Sequence, residues 1–339
     1  MRRVLGRAGS VIVAALLGLA LPALAAADGR QDVLHPASHQ EHEISVLWWV
    51  MLGGSVIGFA VICVLILLGW FRRHRESLPF GGGERAGTAI VVGMGVFLPI
   101  VLLTALFVWS DIFLIKTTEA PAASSTRLSV DVVGRQWFWA VSYPGTSAVT
   151  ANEIHIPTHT RVQVRTTTAD VIHSFWVPEL NRKVDSIPGR VNRVLLDASR
   201  VGTYRGQCAE FCGLQHAHMS MLVFADPPKR FRAWLANERK PARAPTSAPA
   251  KQGQRLFMRM PCAGCHTIRG TPADGKVGPD LTHLAGRATL AAVTIPNDRA
   301  HLARWIEDPQ FYKPGNKMPG FALSKRERDA LVAYLESLR

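Results

Sequence analysis

The sequence predicts a multi-domain chain made of a two-helix transmembrane hairpin, an all-β sandwich and an all-α C-terminal domain. Two apolar runs, at about residues 45–71 and 88–109, each exceed the ~20 residues that a helix needs to cross a bilayer. Residues 126–235 instead consist of short runs in which apolar and polar side chains alternate, as in strands. Residues 251–339 return to helical patterns around a Cys-x-x-Cys-His sequence.

The first 27 residues are predicted to be a signal peptide. Arg2, Arg3 and Arg7 are followed by an apolar stretch from Val11 to Leu24 and then by alanines. A basic segment, an apolar segment and small residues at a cleavage site are the parts of a secretory signal. Retention as a further membrane anchor is the alternative, and the sequence leaves open whether the segment is cleaved.

Residues 40–111 are predicted to form the membrane hairpin. The loop between its two helices is rich in arginine, and the positive-inside rule therefore places it in the cytoplasm. These arginines are Arg72, Arg73, Arg75 and Arg85. Everything after Trp109 then lies on the outer face. We expect a multi-pass protein of a bacterial inner membrane, in contact with lipid, whose large domains face the periplasm.

Charge and composition limit the expected partners. The formal net charge is +14, but Lys and Arg are scattered and form no basic stripe with stacking aromatics, so no nucleic-acid partner is expected. Residues 126–235 hold 13 basic and 8 acidic residues, and residues 251–339 hold 14 and 8. Both balances are positive, so long-range steering of a basic protein is not favoured. Asp170 and Glu179 remain candidate pieces of an acidic docking face.

The exported region 126–235 is predicted to be a β-sandwich or a small barrel. Met219, Met221 and Val223 alternate along its last strand, and helical character returns at residues 229–238. Residues 236–250 follow as a stretch rich in Pro, Ala and charge. This composition predicts a semi-extended tether between two domains.

Residues 208–219 read C-A-E-F-C-G-L-Q-H-A-H-M and predict a transition-metal site. Thiolates, an imidazole and a thioether form a soft ligand set that suits copper. Cys208 and Cys212 can both bridge a pair of copper ions, His216 and Met219 can cap them, and His173 is the best distant ligand. A disulfide or a zinc site is the alternative. His218 has the wrong spacing for a ligand, and His155 and His159 are expected to face solvent.

The copper motif and its surroundings resemble subunit 2 of haem–copper cytochrome c oxidases across roughly residues 40–235. The pattern C-x-E-x-C-G-x-x-H-x-x-M is similar to the dinuclear copper A (CuA) site of that family, which implies a cupredoxin-like fold. The resemblance implies His173, Cys208, Cys212, His216 and Met219 as side-chain ligands. It also implies that Glu210 gives its backbone carbonyl to copper and its carboxylate to a magnesium ion shared with subunit 1.

An aromatic segment adds to this resemblance. G-R-Q-W-F-W, residues 134–139, is similar to the family's G-H-Q-W-Y-W, and Trp137 matches the tryptophan through which electrons reach copper. Trp139 is expected only to pack in the core. The chain departs from the family in one place. In the family a glutamate commonly precedes the proline of the second membrane helix, near a proton-uptake path, but Ile90 to Pro99 contains no carboxylate and Glu84 lies further back. This departure argues against a proton-channel role for this subunit.

A second redox site is predicted at C-A-G-C-H, residues 262–266. This is the attachment signature of a c-type haem, bonded by Cys262 and Cys265 and ligated by His266, although a thiol redox pair is the alternative. With helices expected at 253–257, 301–306 and 325–338, residues 251–339 resemble a class I cytochrome c domain. That resemblance implies Met318 as the second iron ligand. His283 and His301 are weaker rivals, and Met258 and Met260 lie too close to the attachment loop.

Together these features predict the electron-input subunit of a terminal oxidase. An external donor such as cytochrome c would reduce the fused haem, and the electron would pass through CuA to the haems of subunit 1. Subunit 1 would reduce oxygen to water and translocate protons, and the other oxidase subunits are expected as further partners. A CuA-type nitric oxide reductase and a membrane-anchored copper-binding or assembly protein are the alternatives. A quinol oxidase is disfavoured, because those relatives lack the copper ligands.

Overall fold

The computed structural model describes residues 31–72, 84–119, 126 and 128–339. The predicted signal peptide and the arginines Arg73 and Arg75 lie outside the described residues. The predicted class is confirmed: two apolar helices are followed by a cupredoxin-like sandwich and by an all-α domain of the cytochrome c kind.

The membrane helices are longer than the two apolar runs. The first, α1, spans His39–Arg72, because the Ser38 hydroxyl accepts a hydrogen bond from the Glu41 backbone N–H at 3.0 Å and so starts the helix before the apolar run. The second is interrupted by two π-helical turns, Gly93–Phe97 and Ser110–Ile115. Its α-helical parts are α2 (Glu84–Val92), α3 (Leu98–Trp109) and α4 (Lys116–Thr118). Both helices have the length and apolarity of membrane spans.

Ten strands form two five-stranded sheets. They are β1 (Leu128–Arg135), β2 (Phe138–Ser142), β3 (Val149–Ala151), β4 (Glu153–Pro157), β5 (Val162–Thr168), β6 (His173–Val177), β7 (Asn181–Ser186), β8 (Asn192–Leu196), β9 (Gly202–Cys208) and β10 (Ser220–Asp226). One sheet has the order β3-β2-β1-β5-β8 and the other β4-β10-β9-β6-β7. The inward side chains meet between the sheets, and Val130, Val132, Trp139, Met221 and Val223 are fully buried there.

The C-terminal domain has its own core and a few short helices. The helices after the sandwich are α5 (Pro228–Glu238), α6 (Ala248–Arg259), α7 (Cys262–Cys265), α8 (Arg299–Glu307), α9 (Pro309–Tyr312) and α10 (Lys325–Leu335), with two-residue strands β11 (Thr289–Leu290) and β12 (Ile295–Pro296). Helices α6 and α10 cross closely at Gly253, where an added Cβ would lie 1.9 Å from the carbonyl oxygen of Ala330. Phe257, Leu302, Leu331 and Tyr334 are buried in this core.

The stretch between α5 and α6 is not a free tether in the structure. Helix α5 runs to Glu238, and the residues that follow pack on the C-terminal domain. The Ala242 N–H donates to the Arg269 carbonyl at 2.9 Å, and His283 Nε2 lies 3.0 Å from the Lys240 carbonyl. Composition predicts a semi-extended linker, and these contacts hold it against the C-terminal domain.

Candidate metal centres

The predicted copper ligands converge at one end of the sandwich. Cys208 ends β9, His173 begins β6 and Met219 immediately precedes β10, so three adjacent strands bring them together. The backbone N–H of Cys208 donates to the Met219 carbonyl at 2.9 Å. His216 lies in a short 3₁₀ turn between β9 and β10. The loop 209–219 therefore folds back over the end of β9.

The five side chains surround a small volume. The sulfurs of Cys208 and Cys212 lie 3.8 Å apart, and His173 Nδ1 is 3.8 Å from the Cys208 sulfur. His216 Nδ1 is 3.7 Å and the Met219 sulfur 3.9 Å from the Cys212 sulfur. Cysteine sulfurs this close lie within twice the metal–thiolate distance of about 2.3 Å, so one ion can contact both. The donor set therefore fits bridged copper.

The cluster is buried, and its surroundings favour the thiolate form of Cys208. Cys208, Cys212, His173 and Met219 are all less than 5% exposed. The contact between the two cysteine sulfurs, together with the nearby His173 imidazole, lowers the pKa of Cys208, whereas the same contact and burial raise the pKa of Cys212. A thiolate is the form that binds soft metals. The two cysteines are free thiols, and no disulfide joins them.

Glu210 approaches this cluster with its backbone. Its carbonyl oxygen lies 3.2 Å from the Cys208 sulfur. Its carboxylate is exposed at the surface. The position is compatible with the predicted shared magnesium ion, which stays a prediction.

Asp170 orients the His173 ligand. One carboxylate oxygen lies 2.8 Å from His173 Nε2, which leaves Nδ1 turned towards the sulfurs. The other accepts the Gln136 backbone N–H at 2.7 Å. Burial alone would raise the pKa of Asp170, but the bonds from His173, Gln136 and Val171 hold it below its ordinary value. Asp170, named in the sequence analysis as a candidate piece of an acidic docking face, therefore contacts a predicted copper ligand.

Trp137 is joined directly to a cysteine ligand. Its indole Nε1 donates a hydrogen bond to the Cys212 carbonyl at 2.9 Å, and Gln136 Nε2 donates to the same oxygen at 2.8 Å. Gly213 lies under the indole with φ +109°, and an added Cβ there would be 3.1 Å from a ring carbon. Trp139 is fully buried and packs edge-on against His173, as predicted for a core residue.

His155 does not face solvent. Its ring stacks between Phe224 and Trp234, at centroid distances of 4.6 and 4.0 Å, and its Nδ1 lies 3.1 Å from an Asp226 oxygen. The prediction was wrong because α5, which carries Trp234, covers this face of the sheet. His159 is exposed, as predicted.

The second candidate site is a cavity in the C-terminal domain. Helix α7 supplies Cys262 and Cys265 to its wall, and His266 and Met318 line the same cavity. The rest of the domain's wall is mainly apolar, with Leu281, Leu284, Leu302, Ile306, Leu331 and Leu335. An apolar cavity that presents two thiols, an imidazole and a thioether fits a covalently attached haem with His–Met ligation.

Two features of the wall prepare it for haem. His266 Nδ1 lies 2.8 Å from the Pro279 carbonyl and donates to it, so Nε2 is left for iron. Burial lowers the pKa of His266, which keeps the ring neutral. Arg287 lines the cavity, and its Nε is buried with no hydrogen-bond partner in the described chain. An unpartnered guanidinium nitrogen fits the carboxylates that a haem carries.

The rival iron ligands lie elsewhere. His283 is directed to the Lys240 carbonyl, and His301 Nδ1 lies 2.6 Å from Asp298. Met258 and Met260 pack against the domain core. None of the four belongs to the described cavity lining.

The cavity wall is completed by the sandwich domain. Gln136, Trp137 and Phe138 line the same cavity as the haem-attachment residues. Beside it, a Glu153 carboxylate oxygen on β4 accepts the Ala288 N–H at 2.7 Å. The two predicted redox sites therefore face each other across an interface within one chain.

Comparison with known proteins decides the family. The family model of the periplasmic domain of cytochrome c oxidase subunit II matches residues 146–225, and that of cytochrome c matches residues 250–339. Cytochrome c oxidase subunit 2 of Alkalihalophilus pseudofirmus is 32% identical over 295 residues, which cover 86% of this chain and 84% of that relative. The chain belongs to the cytochrome c oxidase subunit 2 family. The Bacillus subtilis subunit 2 is 29% identical over 330 residues, covering 91% of this chain and 92% of that one.

Solved structures also match this oxidase subunit in part. The periplasmic domain of subunit II of cytochrome oxidase from Bradyrhizobium japonicum is 30% identical, with a TM-score of 0.32, and covers 34% of this chain and 94% of that structure.

As an oxidase subunit 2, the chain is a membrane-anchored part of a cytochrome c oxidase and has subunit 1 as its partner. Its role in this oxidoreductase is electron input. The periplasmic-domain match implies copper and the cytochrome c match implies haem.

Sequence reasoning missed several residues that shape the two sites of this oxidase subunit. Asp170 and Arg287 are the clearest, and Gly134 is a third, because an added Cβ there would lie 2.7 Å from the His173 ring. A carboxylate three positions before a ligand histidine was the available signal for Asp170. Gly134 had no signal, since its partner lies on another strand.

Proposed function

We propose that this oxidase subunit carries both a haem c and a dinuclear CuA centre, and that electrons enter at the haem and leave from copper to subunit 1. The observation that supports this most is that Trp137 contacts both candidate sites. Trp137 lines the cavity of Cys262, Cys265 and His266, and its Nε1 donates to the carbonyl of Cys212. One side chain thus bridges the two candidate sites.

The haem and the copper pair would supply one-electron relay chemistry; the chain's task is to hold both sites rigidly. Cys262 and Cys265 attach the haem, and His266 and Met318 ligate its iron. His173, Cys208, Cys212, His216 and Met219, with the Glu210 carbonyl, hold copper. His173 and Cys208 lie at the ends of strands, and the buried ligands of the loop that follows Cys208 pack against them, so little rearrangement would accompany a change of oxidation state.

The site requires no general acid or base. Oxygen reduction and proton translocation are assigned to subunit 1, since the proposed sites of this chain provide only electron transfer. The helices α1 to α4 would anchor the chain in the bacterial inner membrane, with the sandwich and haem domains on the periplasmic face. The Glu210 carboxylate would share a magnesium ion with subunit 1.

The experiment uses the intact oxidase complex. A photoexcited ruthenium dye injects one electron into the haem, and the absorbances of haem and copper are followed in time. We expect haem oxidation and copper reduction to proceed with the same rate constant, before any haem of subunit 1 is reduced. Reduction of copper while the attached haem remains reduced would contradict the proposal.

A further inference from the structure

A short loop of the haem domain contacts the copper domain on the surface that surrounds Trp137. This docking loop, residues 313–317 with the sequence K-P-G-N-K, lies between α9 and Met318. It contacts two segments of the copper domain, Gln136–Trp137 and the loop 212–218 that carries copper ligands. The loop was not singled out by the sequence.

Lys313 makes the central contact. Its side chain is 3% exposed, although lysine is one of the residues least often buried. Its Nζ donates to the His218 carbonyl at 2.9 Å and the Trp137 carbonyl at 3.3 Å. Both of these hydrogen-bond partners are backbone carbonyls rather than carboxylates, and burial lowers the pKa of Lys313 to about 8. A buried ammonium costs free energy, so its retention between two backbone segments points to a positioning role.

Three further contacts extend the loop along the same surface. Lys317 Nζ donates to Gln136 Oε1 at 2.8 Å and lies 5.7 Å from the centre of the Trp137 ring. Gln215 Nε2 donates to the Pro314 carbonyl. Gly315 has φ +83°, and a Cβ added to it would lie 2.9 Å from Leu214. The first part of the docking loop thus packs along the loop 212–218, and its end packs on Gln136 and Trp137.

The docking loop also holds an iron-ligand candidate. Met318 directly follows Lys317, and its N–H donates to Asn316 Oδ1 at 2.8 Å. The same few residues therefore set the position of Met318 in the haem cavity and contact the backbone of Trp137. A shift of the loop would move both.

A separate set of contacts closes the other side of the interface. Arg269 donates to the Ser147 carbonyl at 2.5 Å and to the Glu238 carbonyl at 2.6 Å. With the bond between Glu153 and the Ala288 N–H, these contacts prevent rotation about the docking loop. The interface is attached at two places rather than one.

We propose that Lys313, supported by Lys317, is a positioning residue that holds the haem domain on the Trp137 surface as a fixed electron-transfer pair. This inference rests on the proposed function. In the step that it positions, one electron passes from ferrous haem iron to the oxidised copper pair. The iron is oxidised and the copper pair reduced by that electron, and no bond or proton is exchanged.

The test compares Lys313→Met, Lys313→Arg and the matched control Lys251→Met in the intact oxidase complex. Lys251 is an exposed lysine of α6. Hydrogen exchange of residues 134–140 and 213–219 is measured by mass spectrometry, alongside haem-to-copper transfer after photoinjection. We expect Lys313→Met to increase that exchange and to slow transfer, each about tenfold, with optical spectra unchanged. Lys313→Arg should restore most of the wild-type protection from exchange and most of the transfer rate. Lys251→Met should match the wild type in both measurements.

Wild-type exchange and transfer rates in Lys313→Met would overturn the positioning role. If Lys313→Met alters the haem or copper spectra, Lys317→Met replaces it, because Lys317 is exposed and its substitution disturbs less packing. Unchanged exchange and transfer in that variant would overturn the proposal equally. A wild type that transfers no electron from haem to copper would instead refute the proposed function, while the exchange comparison would still test the docking.

Discussion

The indole Nε1 of Trp137 donates a hydrogen bond to the carbonyl oxygen of Cys212 at 2.9 Å. The same residue lines the cavity in which Cys262 and Cys265 lie. A single side chain therefore contacts the cavity on one side and the backbone of a predicted copper ligand on the other. The fold achieves this because the segment between β1 and β2 projects into the interface of the two domains.

Trp137→Phe is expected to slow electron transfer from haem to copper about tenfold, or about 1.4 kcal/mol in the barrier, because a smaller aromatic ring replaces the indole and the bond to Cys212 is lost. Photoinjection into the haem measures this rate, and the haem and copper spectra should remain those of the wild type. Trp234→Phe is the matched control, since Trp234 packs on His155 away from both sites. Equal rates in Trp137→Phe and wild type would contradict the assigned role.

Asp170→Asn is expected to weaken copper binding by about 10- to 100-fold, because a carboxylate that orients a ligand histidine is replaced by a neutral amide. The same change weakens the bond to the Gln136 N–H. Copper retained during titration with a chelator measures the effect. Asp185→Asn, at an exposed aspartate of β7, should behave as wild type. Copper affinity unaltered by Asp170→Asn would show that the contact with His173 has no role in binding.

Met318→Leu is expected to leave the haem covalently attached but to lower its reduction potential, because His–Met ligation raises that potential. Redox titration of the haem absorbance provides the measurement, and the ferric spectrum should lose its low-spin character. Met258→Leu is the control, since Met258 packs in the domain core and does not line the cavity. A low-spin haem of unchanged potential in Met318→Leu would assign the second axial ligand to another residue.

His155 is expected to make the copper domain sensitive to acid. Burial lowers its pKa from 6.5 to about 4, with the Asp226 carboxylate opposing the shift. Between these values the unfolded chain binds a proton that the folded chain does not. His155 therefore does not reduce the free energy of unfolding above pH 6.5. As the pH falls towards 4, its protonation in the unfolded chain lowers that free energy by at most about 3 kcal/mol.

His155→Gln keeps a hydrogen-bond donor near Asp226 but cannot titrate. Calorimetric melting of the full chain at pH 7 and pH 5 should show a smaller acid-induced decrease in melting temperature for this variant than for the wild type. Equal decreases would assign the acid sensitivity to other groups.

The local parts of both sites were predictable from sequence. Cys208, Cys212, His216 and Met219 lie within twelve consecutive residues, and Cys262, Cys265 and His266 within five, so spacing alone indicates their chemistry. The structure brings His173 and Met318 to these groups as expected. The assigned ligand roles remain predictions.

Contacts between distant segments were not predictable. Lys313 and Trp137 are 176 positions apart in the sequence. A lysine is expected to be exposed to solvent unless its buried partner is known, and the sequence does not show that partner. His155 was misplaced for the same reason, because the helix that covers its strand lies much later in the chain. The linker composition predicted a tether, whereas backbone hydrogen bonds to Arg269 decide its position.

The most direct test of the account is paramagnetic resonance of the purified full-length chain, combined with a metal count. The account predicts a copper signal in which one unpaired electron couples equally to two copper nuclei, together with a low-spin haem, and two copper atoms for each haem iron. Zinc in place of copper, a single isolated cupric ion, or a C-terminal domain without porphyrin would contradict it.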